Sequence, residues 1–139
     1  MDQFNTMLAR WEPKVLSIFR IMVGLLLFQY GVAKILGYPV LPYFANIPPL
    51  IAAAGWIELV LGGLLILGLF TRPVAFVLSG EMAFAYFMGH MFKAGLGAPV
   101  YTPLLNGGNA AILFCFACLY FVFAGGGAWS LDAVIRKRA

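Results

Sequence analysis

The sequence predicts an all-α integral membrane protein, a bundle of four transmembrane helices with both termini in the cytoplasm. Three observations lead there. Of 139 residues, 63% are hydrophobic and 10% charged, at a mean hydropathy of +0.96, where soluble domains carry roughly 25% charged residues. The apolar residues fall into four long runs, and at roughly 20 residues per span the length accommodates four helices and short connections. Lysine and arginine, finally, gather on one side of those runs: Arg10, Lys14, Arg20, Arg72 and Arg136-Lys137-Arg138, against Lys34 and Lys93. The side richer in Lys and Arg is cytoplasmic. One transmembrane domain therefore fills residues 1–139.

The first helix is expected from Val15 to Leu36, with Pro13 just before it, where a missing amide donor costs little. Arg20 interrupts the start of this run and no small-residue cleavage site follows, so it reads as a retained helix rather than a signal peptide. Gly37 to Pro49 holds Pro39, Pro42, Pro48 and Pro49 and reads as a loop. The second helix is expected over 50–70, and a tight turn leads to the third over 72–92, with Thr71 as its cap and Pro73 in the first turn. Lys93 to Gly108 breaks the chain again. The fourth helix is expected over 110–128 with Asn109 as its cap, ahead of Gly125-Gly126-Gly127 and a basic tail. Both Pro/Gly-rich loops then lie together on the outside.

An ionisable group in the bilayer core is costly, and is usually turned inward, paired or functional. Glu58 lies ~18 Å above the inner end of the second helix and Glu81 ~13 Å above the start of the third, at the usual helical rise. They share a depth near the midplane. Antiparallel neighbours joined by so short a turn pack together, so the two carboxyls approach each other and at least one is expected to be protonated. Two readings fit the pair: proton exchange, or structural hydrogen bonds that fix helix register. Gly55 and Gly62 flank Glu58 and give its helix a smooth face for close approach.

Arg20 and Lys34 stand 14 residues apart on the first helix, a separation of ~21 Å. Anchoring at the two interfaces by snorkelling explains the spacing. Lys34, with Gln29 and Tyr30 before it, is also a candidate to bind an anionic or quinone oxygen at the outer end. His90, the single histidine, is either an interface residue or a ligand or proton group. Cys115 and Cys118 sit three apart on the fourth helix, as packing residues or as a dithiol that exchanges electrons with a quinone. No haem, flavin or nucleotide motif is visible, a metal site is not expected, and no basic stretch interleaved with aromatics marks a nucleic-acid surface.

Taken in order, several segments resemble the DoxX family of small four-helix bacterial membrane proteins. They are Arg20 with Gly24 and Gly31 before Lys34; Glu58-Leu-Val-Leu-Gly-Gly-Leu-Leu-Ile-Leu-Gly-Leu-Phe-Thr-Arg-Pro73; Glu81-Met-Ala-Phe-Ala-Tyr86 with His90; and Gly-Ala-Trp-Ser-Leu-Asp132. The resemblance spans about Val15 to Ile135. Asn109 departs from it, since relatives often carry an acid there. The resemblance implies a membrane subunit of an oxidoreductase, of the kind that passes electrons to quinone, with a peripheral partner subunit. Within that expectation Glu58 and Glu81 relay protons, while Lys34, His90, Arg20 and Gln29 are candidates to hold the quinone. The competing readings are a non-catalytic scaffold for partner recruitment, a thiol-quinone oxidoreductase built on Cys115 and Cys118, and a small proton-coupled transporter. Surrounding lipid is the certain contact, and the glycine stripes permit a homo-oligomer.

Overall fold

The computed structural model describes residues 1–38, 47–87 and 108–138. The expectations for His90, for Lys93 and for most of the two Pro/Gly-rich loops fall outside these residues. Five helices and no strands are found among the described residues: α1 (Asp2–Ile35), α2 (Pro49–Leu67), α3 (Thr71–Ala85), α4 (Asn109–Ala124) and α5 (Leu131–Arg138). By length and composition α1 and α2 can each cross a membrane, and α4 is a shorter apolar helix. Large apolar side chains such as Phe76, Leu113, Phe116 and Phe123 point outward, the expected arrangement where the surrounding solvent is lipid.

α1 begins 13 residues earlier than the sequence predicts and carries Pro13 in its interior. Its 34 residues extend ~51 Å, well beyond a hydrocarbon core of ~30 Å. The Pro13 carbonyl receives the Ser17 hydroxyl and the Ala128 amide, so a distant turn of chain packs against the helix at this point. α2 starts on Pro49 in its first turn, as the missing donor permits. α4 starts at Asn109 with Gly108 in the capping position, and it ends at Ala124, where Gly125 turns away at φ +80°. The basic tail is not merely loose charge, because Leu131–Arg138 closes into a short helix.

α1 lies along α2, and α3 along α4, while α2 and α3 meet across their turn. The α1–α2 seam is made of glycine. A Cβ on Gly24 would stand 2.9 Å from the Ile66 amide nitrogen, one on Gly62 2.9 Å from that of Phe28, and one on Gly31 2.7 Å from the Leu59 Cα. Two backbones approach this closely only where side chains are missing. The glycine stripes are thus used between helices of one chain. On the α3–α4 side, Leu78, Met82, Cys118 and Phe121 close the apolar core with Leu27 and Leu65.

The α2–α3 turn follows from backbone chemistry. Gly68, at φ +72°, ends α2 with its own amide on Leu65 O and the Leu69 amide on Leu64 O, the crossed bonds of a Schellman end. Thr71 does not cap α3 with its side chain. The cap comes from 61 residues away, where the Asp132 carboxylate accepts the Phe70 and Thr71 amides, each at 2.8 Å. Partial burial pushes the Asp132 carboxyl up, but these two donors and nearby Arg136 outweigh burial and hold it below its ordinary value. An anion at a helix start is favoured by the helix dipole as well.

Candidate functional site

Arg20 and Lys34 both turn inward. Neither snorkels. Arg20 is fully buried, and its guanidinium donates to Leu65 O at 2.9 Å, Ile66 O at 3.3 Å, Trp129 O at 3.0 Å and to Gly126 O. The last turn of α2 leaves carbonyls without helical donors, and the 125–130 turn leaves more. A planar fork of N–H groups suits several carbonyls at once, which an ammonium does not. Ser17 completes this knot, donating to Gly126 O at 3.0 Å and accepting the Trp129 amide at 2.9 Å. Arg20 is therefore committed to backbone and offers little to a ligand.

Lys34 lies at the far end of α1, where its Cβ packs on Gly55. Side chains lean toward the start of their own helix, and the ammonium accordingly reaches back along the seam to Glu58. It stands 2.9 Å from both Glu58 oxygens, with the two side chains 12% and 2% exposed. The absence of a side chain at Gly55, where a Cβ would stand 2.8 Å from the Lys34 Cβ, makes room for the lysine stem, and Gly31 and Gly62 bring the backbones close enough for the pair to form. The Tyr30 ring adds a face 5.8 Å from the ammonium. Tyr30 itself meets Phe114 of α4 edge to face, with centroids 6.3 Å apart.

Glu81 of α3 joins this pair. Among the described residues Glu58 and Lys34 are the charged groups that act on its carboxyl, Glu58 being the side chain it approaches, so the structure brings Lys34, Glu58 and Glu81 into one cluster among α1, α2 and α3. Both Glu81 oxygens are buried, and among the described residues no hydrogen bond of normal geometry reaches either. A buried carboxyl without a partner is rare and calls for a reason. One ammonium balances one carboxylate; the second carboxyl is neutral only when it carries a proton.

The other candidates separate from this cluster. Gln29 is exposed on α1, five residues and thus about 140° around the helix from Lys34. His90 lies outside the described residues. Cys115 and Cys118 are free thiols on α4, Cys118 fully buried in the core. Ser79 of α3 donates to Cys115 O at 2.8 Å and lies 3.5 Å from its sulfur. Among the described residues no group of three or more His, Cys, Asp or Glu side chains is arranged to hold a metal ion. The sequence reading missed the Lys34–Glu58 pairing, whose signal was available: one buried cation and one buried anion on successive, antiparallel helices. It missed the Ser17 and Asp132 contacts too, and Asp132 was visible only as the end of a motif.

An all-α scaffold with apolar helices turned outward and a charged cluster turned inward defines a membrane protein. The pattern of the DoxX family matches residues 15–91, more than half of the chain. An uncharacterized protein of Haemophilus influenzae is 44% identical over 134 residues, covering 94% of this chain and 98% of that one. An uncharacterized membrane protein of Mycobacterium tuberculosis is 27% identical over 148 residues, covering 94% and 86% respectively. No solved structure matches the chain significantly. The chain belongs to the DoxX family.

Proposed function

We propose that this protein is a quinone-handling membrane subunit that works with a partner oxidoreductase, as a four-helix bundle of the bacterial inner membrane with both termini cytoplasmic. The observation that carries the reading is the Glu81 carboxyl, buried against the Lys34–Glu58 ion pair with no hydrogen bond of normal geometry among the described residues. Such a carboxyl suits a ligand that presents a hydroxyl or carbonyl oxygen, the two forms in which a quinone head group meets a protein. A bound quinone would supply two-electron, two-proton redox chemistry within the membrane. The chain's own part is to hold a proton and exchange it. Glu81 can carry that proton while Lys34 neutralises Glu58, and the ammonium, in reach of both acids, lowers the cost of moving charge between them. α1 and α2 are each long and apolar enough to span, and with α3 and α4 as the other two spans the basic residues set the orientation.

The test is quinone binding by the purified protein, with and without Glu58→Gln and Glu81→Gln. Binding that weakens about tenfold or more in the Glu81 variant supports the reading. No binding, or binding unchanged in both variants, overturns it.

A second reading, thiol-quinone exchange through Cys115 and Cys118, draws on the Ser79 hydroxyl, which lies 3.5 Å from the Cys115 sulfur. Full function of a Cys115→Ser, Cys118→Ser protein eliminates it.

A further inference from the structure

At the end of the bundle opposite the Lys34 cluster, a groove of about 650 Å³ opens between the start of α1, the 125–128 turn and α5. Its polar lining is three cations, Arg72, Arg136 and Lys137, against one carboxylate, Glu12. Arg72 and the neighbouring Arg136 and Lys137 come from separate parts of the chain, and packing holds Arg72 in place. Arg72 donates to Val122 O at 3.2 Å and Phe123 O at 3.0 Å, which fixes its guanidinium against Gly125. α5 is in turn clamped by the Asp132 cap on α3 and by the Asp132 amide on Gly68 O at 3.0 Å. The rest of the lining is apolar, including Pro13, Leu16 and Ala124.

We propose that this groove binds the headgroup of an anionic phospholipid, its phosphate diester against Arg72, Arg136 and Lys137 and the first part of its acyl chains over Pro13, Leu16 and Ala124. A cationic rim above an apolar floor matches an amphiphile, whereas free phosphate would gain nothing from the floor. The level in the membrane agrees. Trp11 and Trp129 are half exposed around this end, the Lys14 ammonium sits 4.3 Å over the Trp11 ring, and aromatic and basic residues of this kind collect at the headgroup region. Clusters of Lys and Arg at that level attract anionic lipid headgroups. The assignment is independent of the quinone reading, since the groove and the glutamate cluster share no residue.

The experiment is native mass spectrometry of the purified protein in detergent with equimolar dioleoylphosphatidylglycerol and dioleoylphosphatidylcholine. The wild type should retain the phosphatidylglycerol at least fivefold over the choline lipid. An Arg136→Gln, Lys137→Gln variant should lose that preference, and an Arg136→Lys, Lys137→Arg variant, which keeps both charges, should restore it. Equal retention of the two lipids by the wild type, or a preference unchanged in the glutamine variant, overturns the proposal. Displacement of the lipid by millimolar inorganic phosphate would reassign the groove to a free anion. Should the glutamine variant fail to fold, Lys137→Gln alone, on an exposed position, takes its place and should halve the preference or more.

Discussion

Removing charges one at a time from the Lys34, Glu58 and Glu81 cluster should have unequal and non-additive effects. Lys34 contacts both oxygens of Glu58 at 2.9 Å in a site where the side chains are 12% and 2% exposed. Breaking such a pair by deleting one partner costs about 3–5 kcal/mol, because the other charge stays buried. Lys34→Met should show that full loss, since two carboxyls then share a dry site without a cation. Glu58→Gln should be milder, at about 1–2 kcal/mol, one charge-assisted hydrogen bond, because Glu81 stands ready to take over the ammonium. Glu81→Gln should cost still less, about 1 kcal/mol or below, since among the described residues no hydrogen bond of normal geometry ties its oxygens. The double Glu58→Gln, Glu81→Gln protein takes both acids from the buried lysine and should return to about 3–5 kcal/mol. The coupling of the two glutamates is then about 1–2 kcal/mol, within the range of contacting residues. Unfolding in mixed detergent and dodecyl sulfate, followed by tryptophan fluorescence, measures all four. Glutamate effects that add to within about 0.5 kcal/mol, or a Lys34→Met protein as stable as wild type, would refute the shared-cation account.

Two further predictions concern the scaffold. Gly31→Ala drives a methyl group into the Leu59 backbone, which cannot yield as a side chain can, and should cost about 1–3 kcal/mol in the same unfolding assay; Gly80→Ala, with open space around it, should be neutral or slightly stabilising. Asp132→Asn should lower stability by about 1–2 kcal/mol through the weakened cap. Because the folded Asp132 carboxyl lies below its ordinary value, its contribution is complete above the unfolded pKa of about 3.9 and is lost as pH falls through the lower folded value. The stability gap between wild type and Asp132→Asn should accordingly close below about pH 3 and persist at pH 7.

Hydropathy made the helices legible because lipid imposes a strong compositional demand on every residue of a span. The approach of Glu58 and Glu81 was legible for a geometric reason: a three-residue turn leaves two antiparallel helices no freedom in depth. The error at the start of α1 has the opposite cause. Pro13 is a local stop signal, yet its cost is offset by contacts that only the fold creates, with Ser17 and Ala128 gathered around its carbonyl. Snorkelling failed as a reading of Arg20 and Lys34 for a similar reason. Spacing along one helix measures depth, and it carries no information about which carbonyls or carboxylates neighbouring helices place at that depth. The remote cap by Asp132 is the extreme case, joining residues 61 apart for which no local pattern exists.

The two buried basic residues differ in a way that bears on the proposed proton-exchange site. Arg20 lies among carbonyls that helix ends always leave over, and its donors are used up on them; the arrangement is closed, and a ligand could enter only by breaking it. Lys34 faces two acids with one charge. That site is balanced only through a proton, and the proton's occupancy depends on what lies beside Glu81. Structural charge clusters in membranes tend toward saturation, because every unmet polar atom is costly there. A fold that saturates Arg20 with four carbonyls leaves the Glu81 oxygens, among the described residues, without a hydrogen bond of normal geometry. That unfilled acceptor capacity is what motivates the proposed proton exchange at Glu81.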